Sequence, residues 1–145
     1  MKLLISGCLL GLACRYDGAC RPLPKEVLEA LAEKFQLIPV CPEQLGGMST
    51  PRNPSERVGD KVISDIGCDV TEEYQKGARE VLKLAEMFGC HKALLKEKSP
   101  ACGSGLIYDG SFQKKLVSGD GVATELLRQN GIQVFGESEI EKLMG

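Results

Sequence analysis

The chain has 145 residues, of which 43% are hydrophobic and 26% are charged, and its formal net charge is -2. This length is enough for a hydrophobic core that needs no disulfide bonds, and we predict a single domain over residues 1–145. The slightly acidic balance argues against sequence-independent binding to nucleic acid or to anionic membranes, so small molecules are the expected partners.

The sequence carries no sign of export or of membrane insertion. No apolar stretch approaches the roughly 20 residues needed to cross a bilayer, and the N-terminal MKLLIS is too short and too weakly basic for a signal peptide. These features predict a cytoplasmic protein. Seven cysteines are many for a reducing compartment, where thiols serve metal binding or chemistry more often than disulfide bonds. Some of them are therefore expected to be ligands.

Strands and helices are predicted to alternate from the N terminus. Residues 2–5 are a short apolar run typical of a buried strand, and a glycine-rich turn follows at 6–11. Pro24 and the helical spacing of the apolar residues after it predict a helix, and the next strand is predicted at 36–40. Residues 41–59 contain three prolines and two adjacent glycines, which indicates a long irregular loop.

The second half of the chain continues this alternation. Apolar periodicity predicts a helix over 70–88, a strand over 91–96, a helix from about 121 to 130 and a strand over 132–135. The loop KSPACGSGLIYDG lies between the first strand and the second helix of this half, and a short helix ends the chain. Strands joined by helices predict an α/β fold with a mostly parallel sheet flanked by helices, in a Rossmann-like arrangement.

Three cysteines lie just past short apolar runs, in the segments ISGCLLG, IPVCPEQLGG and KSPACGSG. The carboxyl ends of parallel strands form the crevice in which such folds bind ligands, so Cys8, Cys41 and Cys102 are expected to share a site. Three thiolates suit a soft metal or an iron-sulfur centre, and they leave one coordination position open for substrate. No cysteine pair has the CxxC spacing of a zinc ribbon, a thioredoxin or a bacterial ferredoxin.

The other four cysteines are less informative. Cys68 and Cys90 are expected to pack in the interior, because cysteine is among the most often buried residue types. Cys14 and Cys20 flank a polar loop, and both remain open as additional ligands.

Several polar and aromatic residues lie in the loops expected near the cysteines. The guanidinium groups of Arg15, Arg52 and Arg57 are candidates for contacts with the oxygens of a base, a ribose or a phosphate. Surface solvation or pairing with nearby carboxylates is the alternative. Tyr16 is the tyrosine best placed to stack on a base.

The motifs SGCLLG, CRYDG, PVCPE, PRNPSER and KSPACGSG occur in this order over nearly the whole chain. In this respect the sequence resembles the thiouracil desulfurase family. The resemblance implies a [4Fe-4S] cluster whose protein ligands match Cys8, Cys41 and Cys102, and whose fourth iron takes the sulfur of a thionated nucleobase. It also implies catalytic roles for Glu43 of CPE and for Ser99 of KSPACG.

The same two residues have simpler interpretations. Without the resemblance, Glu43 would be a solvated loop carboxylate and Ser99 a turn residue before proline. The sequence departs from the family pattern at Ala101, where the family commonly has a second serine. The catalytic assignment therefore depends on Ser99 being the serine that acts.

Together these features predict an iron-sulfur enzyme that removes sulfur from 2-thiouracil, or from a related base or nucleoside, without net electron transfer. The acceptor of the sulfide is not identified by the sequence. One alternative is a thiol redox or sulfur-carrier protein, which would use a reactive cysteine pair and contain no iron. Another is a noncatalytic zinc-binding module, which would need a fourth protein ligand such as Cys14.

Overall fold

The computed structural model describes all 145 residues. In chain order the elements are β1 (Lys2–Ser6), a 3-10 turn (Gly7–Leu10), α1 (Lys25–Lys34), β2 (Gln36–Val40), α2 (Pro42–Leu45), β3 (Ser55–Val58), β4 (Lys61–Ser64), α3 (Thr71–Phe88), β5 (Lys92–Leu95), β6 (Leu106–Tyr108), β7 (Leu116–Ser118), α4 (Val122–Gln129), β8 (Gln133–Gly136), a second 3-10 turn (Glu137–Glu139) and α5 (Ile140–Met144).

Four strands form a parallel sheet at the centre of the molecule. Their order is β2-β1-β5-β8, and all three neighbouring pairs are parallel. The chain passes from β1 to β2 at one edge and then places β5 and β8 on the other side of β1. This arrangement confirms the predicted α/β fold with a parallel sheet flanked by helices.

The sheet separates two hydrophobic cores. On one face, Leu4 and Ala93 belong to a cluster with residues of α3 and α4. On the other face, Leu3, Ile5 and Leu94 pack with residues of α1 and α5. Successive side chains of a strand point to opposite faces, so the uninterrupted apolar sequences of β1 and β5 supply both cores.

Two predicted loops contain short antiparallel hairpins. The predicted irregular loop 41–59 is wrong in part, because it includes α2 and β3, and β3 pairs with β4. The loop after β5 likewise contains β6, which pairs with β7. These strands are only three or four residues long, too short for an alternating pattern to be distinguished from a loop in the sequence.

The short helix α2 is seated directly on α3 by two glycines. A Cβ atom on Gly77 would lie 2.0 Å from the carbonyl oxygen of Pro42, and one on Gly46 would lie 2.0 Å from that of Glu73. Such separations are possible only without a side chain at these positions. The backbones of α2 and α3 are therefore in direct contact, which fixes the position of Glu43 on α2.

Candidate active site

A cavity of about 620 Å³ lies at the carboxyl ends of β1, β2 and β5. Ser6 and Val40, the last residues of β1 and β2, line it, and so does Lys96 directly after β5. Because the chain leaves β1 toward β2 on one side and β5 lies on the other, this is the place where open α/β sheets form ligand crevices. The volume is typical of small-molecule sites, which span roughly 300–1,000 Å³.

Four thiols line this cavity. Cys8 lies on the 3-10 turn after β1, Cys41 directly follows β2, and Cys102 lies in the loop after β5. Cys14 is the fourth, and its carbonyl oxygen is 3.6 Å from the Sγ atom of Cys41. All seven cysteines of the chain are free thiols. The structure thus brings the three predicted ligands together and adds Cys14 to them.

The buried position of these thiols disfavours their charged forms. Burial raises the pKa of Cys8 to about 11 and that of Cys41 to about 12, and it raises the pKa of Cys102 well above its usual range. The nearby Glu43 carboxylate adds to each rise, whereas Lys96 opposes it at Cys8 and Arg52 opposes it at Cys41. A bound metal cation would supply the positive charge that thiolates need here.

The spacing of these thiols bears on the kind of metal centre that they could hold. No group of three or more His, Cys, Asp or Glu side chains is close enough together to share a single metal ion. Cys8, Cys41 and Cys102, three thiols at neighbouring strand ends around one cavity, are a donor set that fits an iron-sulfur cluster with one iron left open.

Ser99 organises the loop that carries Cys102. Its Oγ atom accepts hydrogen bonds from the backbone N–H groups of Ala101 and Cys102, both at 3.1 Å. The hydroxyl group of Thr124 donates to the carbonyl oxygen of Cys102 at 2.9 Å. Ser99 lines the cavity. Its hydroxyl hydrogen is not used in these bonds and remains available to a ligand.

Ala101, the departure from the family pattern, does not line the cavity. Its side chain is 1% exposed and belongs to the core that contains α3 and α4. A serine hydroxyl at this position would therefore lie in the core, whereas that of Ser99 lies at the cavity.

Glu43 is a buried carboxylate braced by an arginine. The side chains of Glu43 and Arg52 are 13% and 6% exposed, and Oε2 of Glu43 lies 3.6 Å from Nη2 of Arg52. The guanidinium group also donates to the carbonyl oxygen of Cys14 at 3.0 Å and to Oγ1 of Thr50 at 3.1 Å. Burial raises the pKa of Glu43, and the Arg52 charge opposes that rise. Arg52 therefore holds Glu43 and the Cys14 loop in place.

Arg15 and Tyr16 line the same cavity, and Tyr16 is an exposed residue. Arg15 forms a 3.7 Å ion pair with Asp17, and its guanidinium carbon lies 5.5 Å from the centroid of the Tyr16 ring. Arg57 is directed elsewhere, because it pairs with Glu125 at 3.2 Å and does not line the cavity.

Several cavity residues were not predicted. Ser6 accepts a hydrogen bond from the backbone N–H of Lys96 at 2.9 Å, and Lys96 donates from Nζ to Glu137 at 2.8 Å. Ser55 and Phe112 come from the two hairpins that the sequence did not reveal. Ser6 and Lys96 lie at the carboxyl ends of β1 and β5, so the predicted strands could have indicated both of them. Ser55 and Phe112 depend on contacts between distant segments.

The two cysteines expected in the interior differ from each other. Cys90 is 3% exposed and belongs to the core beside α3, as predicted. Cys68 is exposed, so the prediction of packing is wrong for it. It follows Gly67, whose φ of +82° turns the chain after β4 and leaves Cys68 at the surface.

Comparison with known proteins places the chain in a family. Residues 3–139 match the family described as 2-thiouracil desulfurase. The chain is 39% identical to the uncharacterized protein YbbK of Bacillus subtilis (strain 168), over 98% of this chain and 99% of that protein. It is 45% identical to a solved structure of the [4Fe-4S]-dependent thiouracil desulfidase TudS, with a TM-score of 0.94 over 98% of this chain and 94% of the other. On this evidence the chain belongs to the 2-thiouracil desulfurase family.

Proposed function

We propose that this protein is a [4Fe-4S]-dependent thiouracil desulfidase. It would convert a thionated pyrimidine and water into the corresponding oxo-pyrimidine and hydrogen sulfide. The carbon–sulfur double bond is replaced by a carbon–oxygen double bond, the two hydrogens of water leave with the sulfur, and no net electrons are transferred. The main support is the convergence of three strand-end thiols on one cavity that also holds Glu43 and Ser99.

The cluster would be held by Cys8, Cys41 and Cys102. When bound, it supplies a soft Lewis-acidic iron without a protein ligand, to which the sulfur of the substrate can bind. The three thiols lie on separate elements that the sheet holds in place, so the protein presents a preformed ligand set.

Glu43 is the residue best placed to handle the proton of the attacking water. Its carboxylate lies in the same cavity as the three thiols, and its Oε1 atom is 4.0 Å from Sγ of Cys41. Arg52 fixes one carboxylate oxygen, which leaves the other to accept a hydrogen bond from water. Glu43 would thus orient the water toward the thiocarbonyl carbon and accept its proton.

Ser99 would act from the loop that carries Cys102. Two backbone N–H groups hold its oxygen, so the direction of the remaining O–H bond is restricted. That O–H group can donate a hydrogen bond to a ring nitrogen or an exocyclic atom of the substrate. We therefore assign Ser99 a role in orienting the ring and relaying a proton.

The partner is a small molecule, and we propose a free thionated base or its nucleoside. Arg15 and Tyr16 also line the cavity and are available to contact the rest of such a ligand. No helix of the structure has the length and apolar character needed to cross a membrane. The free state of all seven cysteines supports our proposal of a cytoplasmic location.

Metal analysis under anaerobic conditions tests this function. Reconstituted protein should contain about four irons and about four acid-labile sulfides per chain, and it should release sulfide from 2-thiouracil. Cys8→Ser, Cys41→Ser and Cys102→Ser should each abolish the iron. Cys68→Ser, at the surface, and Cys90→Ser, in the core, are the matched controls that should retain it.

Three other results would contradict parts of this proposal. A single bound zinc would favour the zinc-binding module. Absence of iron together with a reactive Cys14–Cys41 pair would favour a thiol redox or sulfur-carrier protein. Iron that survives Cys8→Ser but not Cys14→Ser would transfer the first ligand to Cys14.

A further inference from the structure

A loop at the cavity is held by a buried carboxylate on β3. Residues 109–115 connect β6 to β7, and we call them the 109–115 loop. The backbone N–H groups of Gly110 and Phe112 donate to Oε1 of Glu56 at 2.9 and 3.1 Å, and Glu56 is a buried residue. A Cβ atom on Gly110 would lie 2.1 Å from Cγ2 of Val58, so the loop also packs tightly on β3.

The backbone of this loop is strained at the cavity. Two non-glycine residues of the loop have positive φ, namely Phe112 (58°) and Lys114 (59°), and both line the cavity. Left-handed backbone is unfavourable for residues with a side chain and persists only where the surroundings impose it. The Asp109 side chain, which accepts hydrogen bonds from Ser111 at 2.9 and 2.6 Å, supplies part of that constraint.

This constraint holds the aromatic ring of Phe112 at the cavity wall. Phe112 is 37% exposed and belongs to neither hydrophobic core. No cation lies over its ring, whereas Arg15 lies over the ring of Tyr16. Of Tyr16 and Phe112, the two exposed aromatic residues of the cavity, only Phe112 has a ring that no neighbouring cation covers.

A buried hydroxyl without a partner lies next to Glu56 in sequence. The Oγ atom of Ser55 is buried, lines the same cavity and has no hydrogen-bond partner, although the Tyr74 side chain is close to it. Buried polar groups in proteins are nearly always hydrogen-bonded, which makes the Ser55 hydroxyl a candidate partner for an atom of a ligand in the cavity. A hydroxyl donates one hydrogen bond and accepts two, so even a bond with Tyr74 would leave Ser55 able to bind a ligand.

We propose that β3 and the 109–115 loop form the surface that recognises the pyrimidine ring. Phe112 stacks on the face of the ring, the Ser55 hydroxyl bonds to its polar edge, and Glu56 is a positioning residue that holds Phe112 in its strained conformation. This inference rests on the proposed function, and it names the residues that select a flat aromatic base.

Substitution of Phe112 by leucine tests the stacking contact, because leucine keeps an apolar side chain and removes the π-face. Stacking on an aromatic residue is worth about 1–3 kcal/mol per base, or about 5- to 150-fold in affinity. For F112L we expect a KM for 2-thiouracil about tenfold higher, with kcat within about twofold of wild type. The Kd of uracil, measured by equilibrium dialysis, should rise in parallel. F112Y keeps the ring and should stay within about threefold of wild type.

F88L is the matched control. Phe88 is 38% exposed, close to the value for Phe112, and it lies at the end of α3 outside the cavity. Its replacement should leave KM, kcat and uracil affinity unchanged. If F112L loses its iron or its cooperative thermal unfolding, S55A tests the recognition surface instead. S55A should raise KM about fivefold through the loss of one hydrogen bond, and an unchanged KM would overturn the proposal.

A double-mutant cycle tests the positioning role of Glu56. E56A should raise KM in the same direction as F112L, and E56Q, which keeps an oxygen acceptor, should recover most of the loss. If Glu56 acts through Phe112, the double variant E56A/F112L should have a KM within about threefold of F112L alone. Additive effects of the two changes would overturn this role.

The two proposals fail in different ways. If wild-type protein releases sulfide and F112L has the same KM and uracil affinity as F88L, the recognition surface is wrong and the desulfidase function stands. If wild-type protein never releases sulfide, whether or not it contains a cluster, the proposed function fails. Uracil dialysis then still decides the inference, because equal affinity of wild type and F112L would overturn it.

Discussion

Glu43 and Arg52 form an ion pair in the wall of the cavity, and the two side chains are almost fully buried. E43Q preserves the size of the side chain and removes its capacity to take a proton. Loss of a general base typically costs about 10²- to 10⁴-fold in rate, and we expect kcat to fall by about this amount with the iron content unchanged. E125Q is the control, because Glu125 also pairs with an arginine but does not line the cavity. Wild-type kcat in E43Q would remove Glu43 from the mechanism.

Ser99 and Ala101 are two residues apart but face different surroundings. S99A removes the hydroxyl group at the cavity and leaves two backbone N–H groups without their acceptor. We expect kcat to fall about 10- to 100-fold, the equivalent of about 1.4–2.7 kcal/mol. A101S should instead leave kcat within about twofold and lower Tm by a few degrees, because it buries a hydroxyl in the core. Steady-state kinetics and calorimetry of both variants check this, and a higher kcat in A101S would reassign the catalytic serine.

At the scale of elements, the seating of α2 on α3 determines where Glu43 lies. Alanine in place of a helical glycine normally stabilises a helix by about 1 kcal/mol. At Gly77, however, the new Cβ would lie 2.0 Å from the carbonyl oxygen of Pro42, and overpacking of this kind costs about 1–3 kcal/mol. Since α2 must move to relieve the contact, we expect G77A to lower both Tm and kcat.

Q75A is the control for G77A. Gln75 is exposed on the same helix, so its replacement should leave kcat unchanged and raise Tm slightly through helix propensity. Thermal unfolding and turnover with 2-thiouracil measure both effects. A G77A protein with the Tm and kcat of Q75A would mean that α2 does not depend on this contact.

The elements also explain how much the sequence could predict. The four parallel strands and the longer helices were predictable, because β1 and β5 are apolar and α3 has regular periodicity, ending at Gly89 with φ of +68°. The three cysteines could be assigned to one edge of the sheet for the same reason. Ser55 and Phe112 could not. Strands of three or four residues leave no pattern, and the place of Phe112 at the cavity depends on its contact with Glu56 across more than fifty residues.

At the scale of the whole molecule, the candidate cluster site joins segments that the rest of the fold leaves separate. Cys8, Cys41 and Cys102 follow three different strands of the sheet. The two hydrophobic cores lie on the two faces of that sheet and contain residues of every strand in it. The fold therefore has a source of stability that does not depend on the metal, and the cluster would add a cross-link at one end.

This arrangement predicts that the protein without its cluster stays folded but is less stable. Binding to the native state alone stabilises it by about 2.7 kcal/mol at a hundredfold excess over Kd, which corresponds to about 5–10 °C in Tm for a domain of this size. Anaerobic calorimetry before and after removal of iron should show this decrease, with the far-UV circular dichroism retained.

C68S, whose thiol is exposed, should show the same decrease in Tm on removal of iron. C102S should have the same Tm before and after reconstitution, because it lacks one ligand of the cross-link. An unfolded apoprotein would contradict the independence of the two cores, and equal Tm values for the two wild-type forms would contradict a cluster that links the three strand ends.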